Sequence, residues 1–218
     1  MRGILKTAIA LVLTGLTLAL PARAEPVTIL ALGDSLTHGY GLPADQGFVP
    51  QLQAWLADNG AEVQLINAGV SGDTTAGGAA RLGWSLTDEV DAVIVALGGN
   101  DILRGIPAPA AKANLASILD QLTARDLPVL LVGQKATGNF GTTYQQSFDA
   151  IYPALSEQYG AALFPDFLQG LSNLPNRETV VATYLQADGL HPNAEGVRLV
   201  VAAMGPAVLE LIARTEAR

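Results

Sequence analysis

The run Val27-Thr28-Ile29-Leu30-Ala31-Leu32 leads straight into Gly33-Asp34-Ser35-Leu36. Its almost unbroken hydrophobicity is that of a strand buried on both faces, as in a parallel sheet covered by helices. Gly33 ends the run, and Asp34 or Ser35 suits a helix N-cap, where a side-chain oxygen accepts the first free N–H groups. A serine at the mouth of a buried strand also has its hydroxyl exposed and its backbone N–H aimed into the same space, which is where a nucleophile belongs. This stretch alone supports both readings, and the rest of the chain has to decide between them.

Four further apolar runs of strand length follow, at Val63 to Ile66, Ala92 to Leu97, Pro128 to Val132 and Ala161 to Phe164. Helix-period stripes lie between them: Phe48, Leu52, Trp55, Leu56; Leu115, Ile118, Leu119, Leu122; and Tyr144, Phe148, Ile151, Tyr152, Leu155. Strands alternating with helices predict an α/β domain, a three-layer, doubly wound, five-stranded parallel sheet with helices on both faces. Asn193 to Arg214 reads as a last helix, with Pro192 in its first turn and Pro206 kinking or dividing it. Asp166 to Gln186 carries no clear period and is expected to be a long loop, functional or mobile.

The first 24 residues contain Arg2 and Lys6, an apolar run from Ala8 to Leu20, and Ala22-Arg23-Ala24. That is the layout of a cleaved export signal, and the run is shorter than the about 20 residues a membrane span needs. Residues 25–218 are then expected to form one domain of an exported protein, periplasmic or secreted, with no stable membrane anchor. The formal net charge is −8, and removing a signal with basic and no acidic residues makes it more negative, which argues against nucleic acid as a partner. With no cysteine and only two histidines, His38 and His191, the chain has no thiol nucleophile and is a poor candidate for a metal centre.

Ligands of doubly wound sheets bind beyond the carboxyl ends of the strands. Gly33 to Ser35 follows the first strand, Asn67 to Thr75 the second and Gly98 to Asp101 the third, while Asp188 to His191 lies just before the last helix. All four groups therefore fall on one edge. Asp188 and His191 are three residues apart in a segment ended by Pro192, so one turn can present a carboxylate to an imidazole whose other nitrogen faces Ser35. The bland alternative makes Asp188 a cap and His191 a loop residue. His38 is the rival base, but it has no carboxylate at a comparable spacing and is read as a pocket-wall or surface residue. Asn100 can donate to a developing oxyanion, and Gly69 can offer an unobstructed backbone N–H, although glycine and asparagine are also ordinary turn formers. Asp34, Asp73 and Asp101 are read as capping or buttressing their turns. There is no G-x-S-x-G elbow, and Gly39-Tyr40-Gly41-Leu42-Pro43-Ala44 is a poor dinucleotide fingerprint.

Taken in order, Gly-Asp-Ser-Leu at 33–36, Gly69, Gly-Gly-Asn-Asp at 98–101 and Asp-Gly-Leu-His-Pro at 188–192 resemble the four blocks of the SGNH hydrolases. Within that family the chain is most similar to the secreted thioesterase, lysophospholipase and arylesterase group. The resemblance implies a flavodoxin-like sheet in the order 2-1-3-4-5 and no cofactor. It also implies Ser35 as nucleophile, His191 as base, Asp188 as its partner, and Ser35, Gly69 and Asn100 as the oxyanion hole. The segment from Lys135 to Phe140 departs from the proline-containing stretch frequent in relatives, so the pocket wall that includes Phe140 is expected to differ.

The expected activity is that of a serine hydrolase cleaving carboxylic ester and thioester bonds through an acyl-enzyme on Ser35. Its partner is then a small acyl substrate, with lysophospholipid among the candidates, and the protein is expected to be a monomer. Leu103, Ile106, Phe167, Leu168, Leu171, Leu174, Tyr184 and Leu185 are candidates for an apolar acyl groove. The alternatives are a carbohydrate O-acetyl esterase and, from another class, an exported binding module without turnover.

Overall fold

The computed structural model describes residues 26–217; the expected signal segment, 1–24, lies outside the described residues. The strands are β1 (Val27–Gly33), β2 (Val63–Gly69), β3 (Ala92–Ala96), β4 (Val129–Val132) and β5 (Ala162–Phe164). All neighbours pair in parallel, in the order β2-β1-β3-β4-β5. This is the sheet the apolar runs predict, in the order the family resemblance implies. β1 lies inside it, with Ile29 opposite Leu65 on one side and Ala92 on the other.

The helices are α1 (Ser35–His38), α2 (Phe48–Asp58), α3 (Thr75–Ser85), α4 (Gly99–Leu103), α5 (Ala108–Thr123), α6 (Thr142–Asp149), α7 (Ile151–Tyr159), α8 (Gln169–Ser172), α9 (Arg177–Tyr184) and α10 (Ala194–Glu216). Alternate residues of the strands feed two cores. Ile29, Ala31 and Ile94 pack with Phe48, Leu52 and Leu56 of α2 and Val201, Met204 and Leu211 of α10. Leu30, Leu32, Val93 and Val95 pack with Leu82 of α3, Leu115, Ile118 and Leu122 of α5, and Ile151 and Tyr152 of α7. Every residue of Ile29 to Leu32 is fully buried, which is why β1 shows no polar alternation. Each buried Ile or Leu side chain here contributes about 1.5–3 kcal/mol of transfer free energy.

Four expectations about the helices need correction. The stripe from Tyr144 to Leu155 forms two helices, α6 and α7, split at Ala150. Pro153 has no N–H for the Asp149 carbonyl and its ring crowds that carbonyl. Pro206, in contrast, does not divide α10. It and Ala202, whose carbonyl it leaves free, are both solvent-exposed, so water can replace the lost bond. Pro192 lies outside the helix, and Asn193 is the cap, its Oδ1 accepting from Gly196 N at 3.0 Å. Finally, Asp166 to Gln186 is not a bare loop but holds α8 and α9. Asp166 Oδ1 accepts from Leu168 N at 3.0 Å and its Oδ2 from Ser172 Oγ at 2.7 Å, and Asn176 caps α9 through Thr179 N at 3.0 Å. α10 is long and apolar enough to cross a membrane, yet half of that apolar window is buried in the protein, as suits a core helix.

Candidate active site

At the end of β1 the capping role of Gly33-Asp34-Ser35 falls on Asp34, not on Ser35. Asp34 is the N-cap, its Oδ1 accepting from Leu36 N at 3.0 Å. That leaves Ser35 at the first helical position, half-buried, with its backbone N–H free of any partner among the described residues. α1 ends after one turn at Gly39, which has φ +86° and donates its N–H to Ser35 O.

Asp188 and His191 lie in a loop closed at its base by an antiparallel bridge between Leu185 and Pro192. Gln186 N donates to His191 O at 2.8 Å, and Gly189, at φ +67°, donates to Gln186 O at 3.0 Å. Inside this turn Asp188 Oδ1 accepts from Leu190 N at 2.9 Å and His191 N at 3.0 Å. Its Oδ2 lies 2.6 Å from His191 Nδ1, and His191 Nε2 lies 2.8 Å from Ser35 Oγ. The Leu190 N–H, then the His191 ring and the His191 N–H, hold the Asp188 carboxyl down at about 2.

Two neighbours of this loop escape sequence reasoning. The Tyr40 ring packs on His191 with centroids 4.7 Å apart. Gln186 Nε2 donates to Tyr40 O at 2.8 Å and to Pro192 O at 3.0 Å, tying the histidine loop to the segment after α1. His38 is exposed, its Nδ1 3.1 Å from Ser71 Oγ.

Asn100 stands in the first turn of α4, half-buried, its side-chain amide without a partner among the described residues. Gly98 opens that turn at φ +123°, and a Cβ there would lie 2.2 Å from Tyr152 Oη, so both conformation and space require glycine. Asp101 is fully buried and accepts from Thr75 N at 2.8 Å and Thr75 Oγ1 at 2.6 Å, locking α4 to the start of α3.

Gly69 behaves differently from the expectation. Its N–H is donated to Asn67 Oδ1 at 2.9 Å, and a Cβ on it would sit 2.3 Å from His38 N. It is a glycine because α1 lies against the end of β2, and its amide is already engaged. Gly72, three residues on at φ +82°, has a backbone N–H without a partner among the described residues. Its neighbour Ser71 touches His38 of α1, and its own carbonyl accepts from Arg104 Nη2 at 2.7 Å, just past α4. Gly72 therefore lies between the elements that carry Ser35 and Asn100.

Residues 31–199 match the model of the GDSL-like lipase/acylhydrolase family. The chain belongs to that family. It is 41% identical over 174 residues to Esterase TesA of Pseudomonas aeruginosa, covering 79% of this chain and 83% of the relative. It is 34% identical over 170 residues to thioesterase 1/protease 1/lysophospholipase L1 of Escherichia coli, covering 77% and 76%. Among solved structures it is similar to AlinE4, an SGNH-hydrolase family esterase, with a TM-score of 0.70, 42% identity, and 87% and 98% of the two chains covered.

The expected groove residues of this GDSL-family chain part into two groups. Leu103, the last residue of α4, and Phe140, at the end of a 3-10 turn after β4, are exposed, 58% and 51%, and Ile106 is half-buried. Phe167 and Leu171, by contrast, are core residues on the α2 and α10 side, with Leu168, Leu174, Tyr184 and Leu185 packed against that core. The segment after β5 turns most of its apolar side chains inward through α8 and α9, although Val181 of α9 is exposed. Phe167 does reach the floor of a small cavity of about 10 Å³ beside Ser35, walled also by Leu36, Tyr40, Leu42, Phe48 and His191. That is room for about one water.

Burial raises the Asp34 carboxyl from 3.8 to about 6, against the pull of the Leu36 N–H and His191, while Asp73 and Asp101 add to the rise. The folded chain thus holds this proton more tightly than the unfolded chain does. The contribution of Asp34 to stability is complete below pH of about 4 and is lost as the pH rises through about 6. Asp34→Asn keeps the cap and cannot ionise. The stability of the variant relative to the parent should therefore grow between pH 4 and 7, by an amount on the order of 3 kcal/mol. Urea midpoints of both proteins across that range check it, and a difference that stays constant with pH would rule out the shift.

Proposed function

We propose that this family member hydrolyses carboxylic esters and thioesters by transient acylation of Ser35. The observation that carries the reading is the unbroken chain from Ser35 Oγ through His191 to Asp188, at 2.8 and 2.6 Å. With Nδ1 protonated toward Asp188, His191 Nε2 takes the Ser35 proton as Oγ attacks the acyl carbon, then returns it to the leaving alkoxide or thiolate. A water, deprotonated by the same nitrogen, releases the acyl group. The ionised Asp188 keeps the ring in the required tautomer and stabilises the imidazolium.

The oxyanion hole in this reading consists of the Ser35 N–H, the Gly72 N–H and the Asn100 amide, each without a partner among the described residues. Gly72 replaces Gly69 because the Gly69 amide is bonded to Asn67. Asn100→Ala should lower kcat by roughly 100- to 1,000-fold with the fold intact. An unchanged rate would remove Asn100 from the hole.

The cavity beside Ser35 is too small for a long acyl chain, so such a chain would have to run outward over the exposed Val70, Leu103 and Phe140. We take this apolar rim as support for medium and longer acyl groups. The small cavity is what favours the second reading, an acetyl-specific carbohydrate esterase. The basic, apolar and small-residue order of residues 1–24 supports export. Initial rates on p-nitrophenyl esters from acetate to palmitate, for the parent and Ser35→Ala, test both readings. An optimum beyond acetate supports the first, an acetate-only profile supports the second, and the absence of Ser35-dependent turnover on esters and thioesters overturns the function.

A further inference from the structure

We propose that Arg81 is a positioning residue that sets the distance between the two backbone donors of the oxyanion hole. The inference rests on the acyl-transfer reading of the Ser35 site. Those donors, the amides of Ser35 and Gly72, lie just past the ends of β1 and β2, in segments that also meet through the Ser71 Oγ–His38 Nδ1 contact at 3.1 Å. Arg81, in the middle of α3, reaches back to both strand ends. Its Nη2 donates to Gly33 O at 2.8 Å, two residues before Ser35, and its Nη1 donates to Ala68 O at 2.8 Å, at the end of β2. Its Nε donates to Asp73 Oδ2 at 2.6 Å, the residue after Gly72.

The planar fork of a guanidinium can serve three acceptors in fixed directions, as an ammonium cannot. The bond to Asp73 is charge-assisted, and both side chains are largely shielded, at 22% and 12% exposure. The helix is shaped for this clamp. A Cβ at Gly77, one turn before Arg81, would lie 1.7 Å from Asp73 Oδ1, so the carboxylate reaches the guanidinium only across a glycine. Val70 N also donates to Gly33 O at 3.0 Å, and Asp73 N to Val70 O at 3.1 Å, closing the turn that holds Gly72. With Asp101 fixing α4 to the start of α3 on the other side, α3 ties together the loops that carry Ser35, Gly72 and Asn100.

A charge buried at the strand ends only for stability would affect folding and substrate affinity without discriminating the transition state. A positioning residue acts on kcat instead, since misplacement by about 1 Å costs about 100-fold. The test compares the parent, Arg81→Met and Arg81→Lys for kcat and KM on p-nitrophenyl butyrate, each at a temperature where its melting curve shows it folded. Arg81→Met is expected to lose about 10- to 100-fold in kcat with KM within about threefold. Arg81→Lys should recover only part of that loss. Combined with Asn100→Ala, the Arg81→Met loss should be smaller than the product of the two single losses, because both act on one hole. Unchanged kcat in the folded variants, or a loss confined to KM, overturns the proposal. Should Arg81→Met fail to fold, Arg81→Lys is judged by the same split. Ser35→Ala is assayed beside them. Turnover surviving there overturns the acyl-transfer reading, whereas Ser35-dependent turnover indifferent to Arg81 overturns only the clamp.

Discussion

Ser35→Ala is expected to fold as the parent does and to lose roughly 10,000- to 1,000,000-fold in ester turnover. The two halves of that expectation come from different atoms. The Ser35 hydroxyl is the only oxygen within hydrogen-bond distance of His191 Nε2 among the described residues, so its removal leaves the imidazole with nothing to activate but water. Its removal costs the fold little, because the N-cap of α1 is Asp34 and alanine is the best helix former at the position that follows. The half-buried His191 nitrogen is left accessible to water in place of Oγ. Stability should therefore stay within about 0.5 kcal/mol of the parent. Thermal melts and p-nitrophenyl butyrate kinetics on the same samples check both halves. A rate within tenfold of the parent would mean that another group attacks the ester.

The fold was legible because it is written in one-dimensional signals. β1, β3 and β4 are buried on both faces, so their apolar runs are unbroken, and the stripes of α2 and α5 keep their period. Asp188 and His191 were legible because one short loop carries both, and Asn100 because the Gly-Gly turn before it is forced by the end of β3 and Tyr152. The backbone donor after β2 was harder. Asn67 and Gly69 end β2 and Gly72 lies in the turn just after it, and the choice between the glycines turns on which N–H the Asn67 side chain occupies, a matter of side-chain direction. Arg81 gave no signal at all, since its three acceptors lie up to 48 positions away and belong to backbone carbonyls as much as to Asp73. Leu171 was read as groove for a related reason, whereas Phe167 is both a core residue and part of the cavity beside Ser35. Helices of four and eight residues are too short to show a period, and without one an apolar side chain reads equally as groove or as core.

Asp188→Asn is the more discriminating of the two large effects, because it keeps the size of the side chain and changes only where one hydrogen sits. Asp188 Oδ1 accepts two backbone N–H groups and Oδ2 faces His191 Nδ1. If the asparagine carbonyl keeps the two backbone bonds, its NH2 points at Nδ1 and forces that nitrogen to accept. The ring proton then moves to Nε2, which can no longer take the proton of Ser35. If the amide flips, its NH2 opposes the N–H groups of Leu190 and His191 and the turn opens. Both outcomes are severe, and kcat should fall about 10,000-fold. The same backbone donors that hold the carboxyl at about 2 keep it ionised far below neutrality. Its stabilising contribution is present above the ordinary carboxylate value of 3.8 and is lost only as the pH falls through about 2. Acid inactivation of the parent near pH 5 would thus have a source other than Asp188. A loss of tenfold or less in Asp188→Asn, measured as kcat on p-nitrophenyl butyrate, would instead mean that the Leu185–Pro192 bridge and the Tyr40 ring orient His191 without the carboxylate.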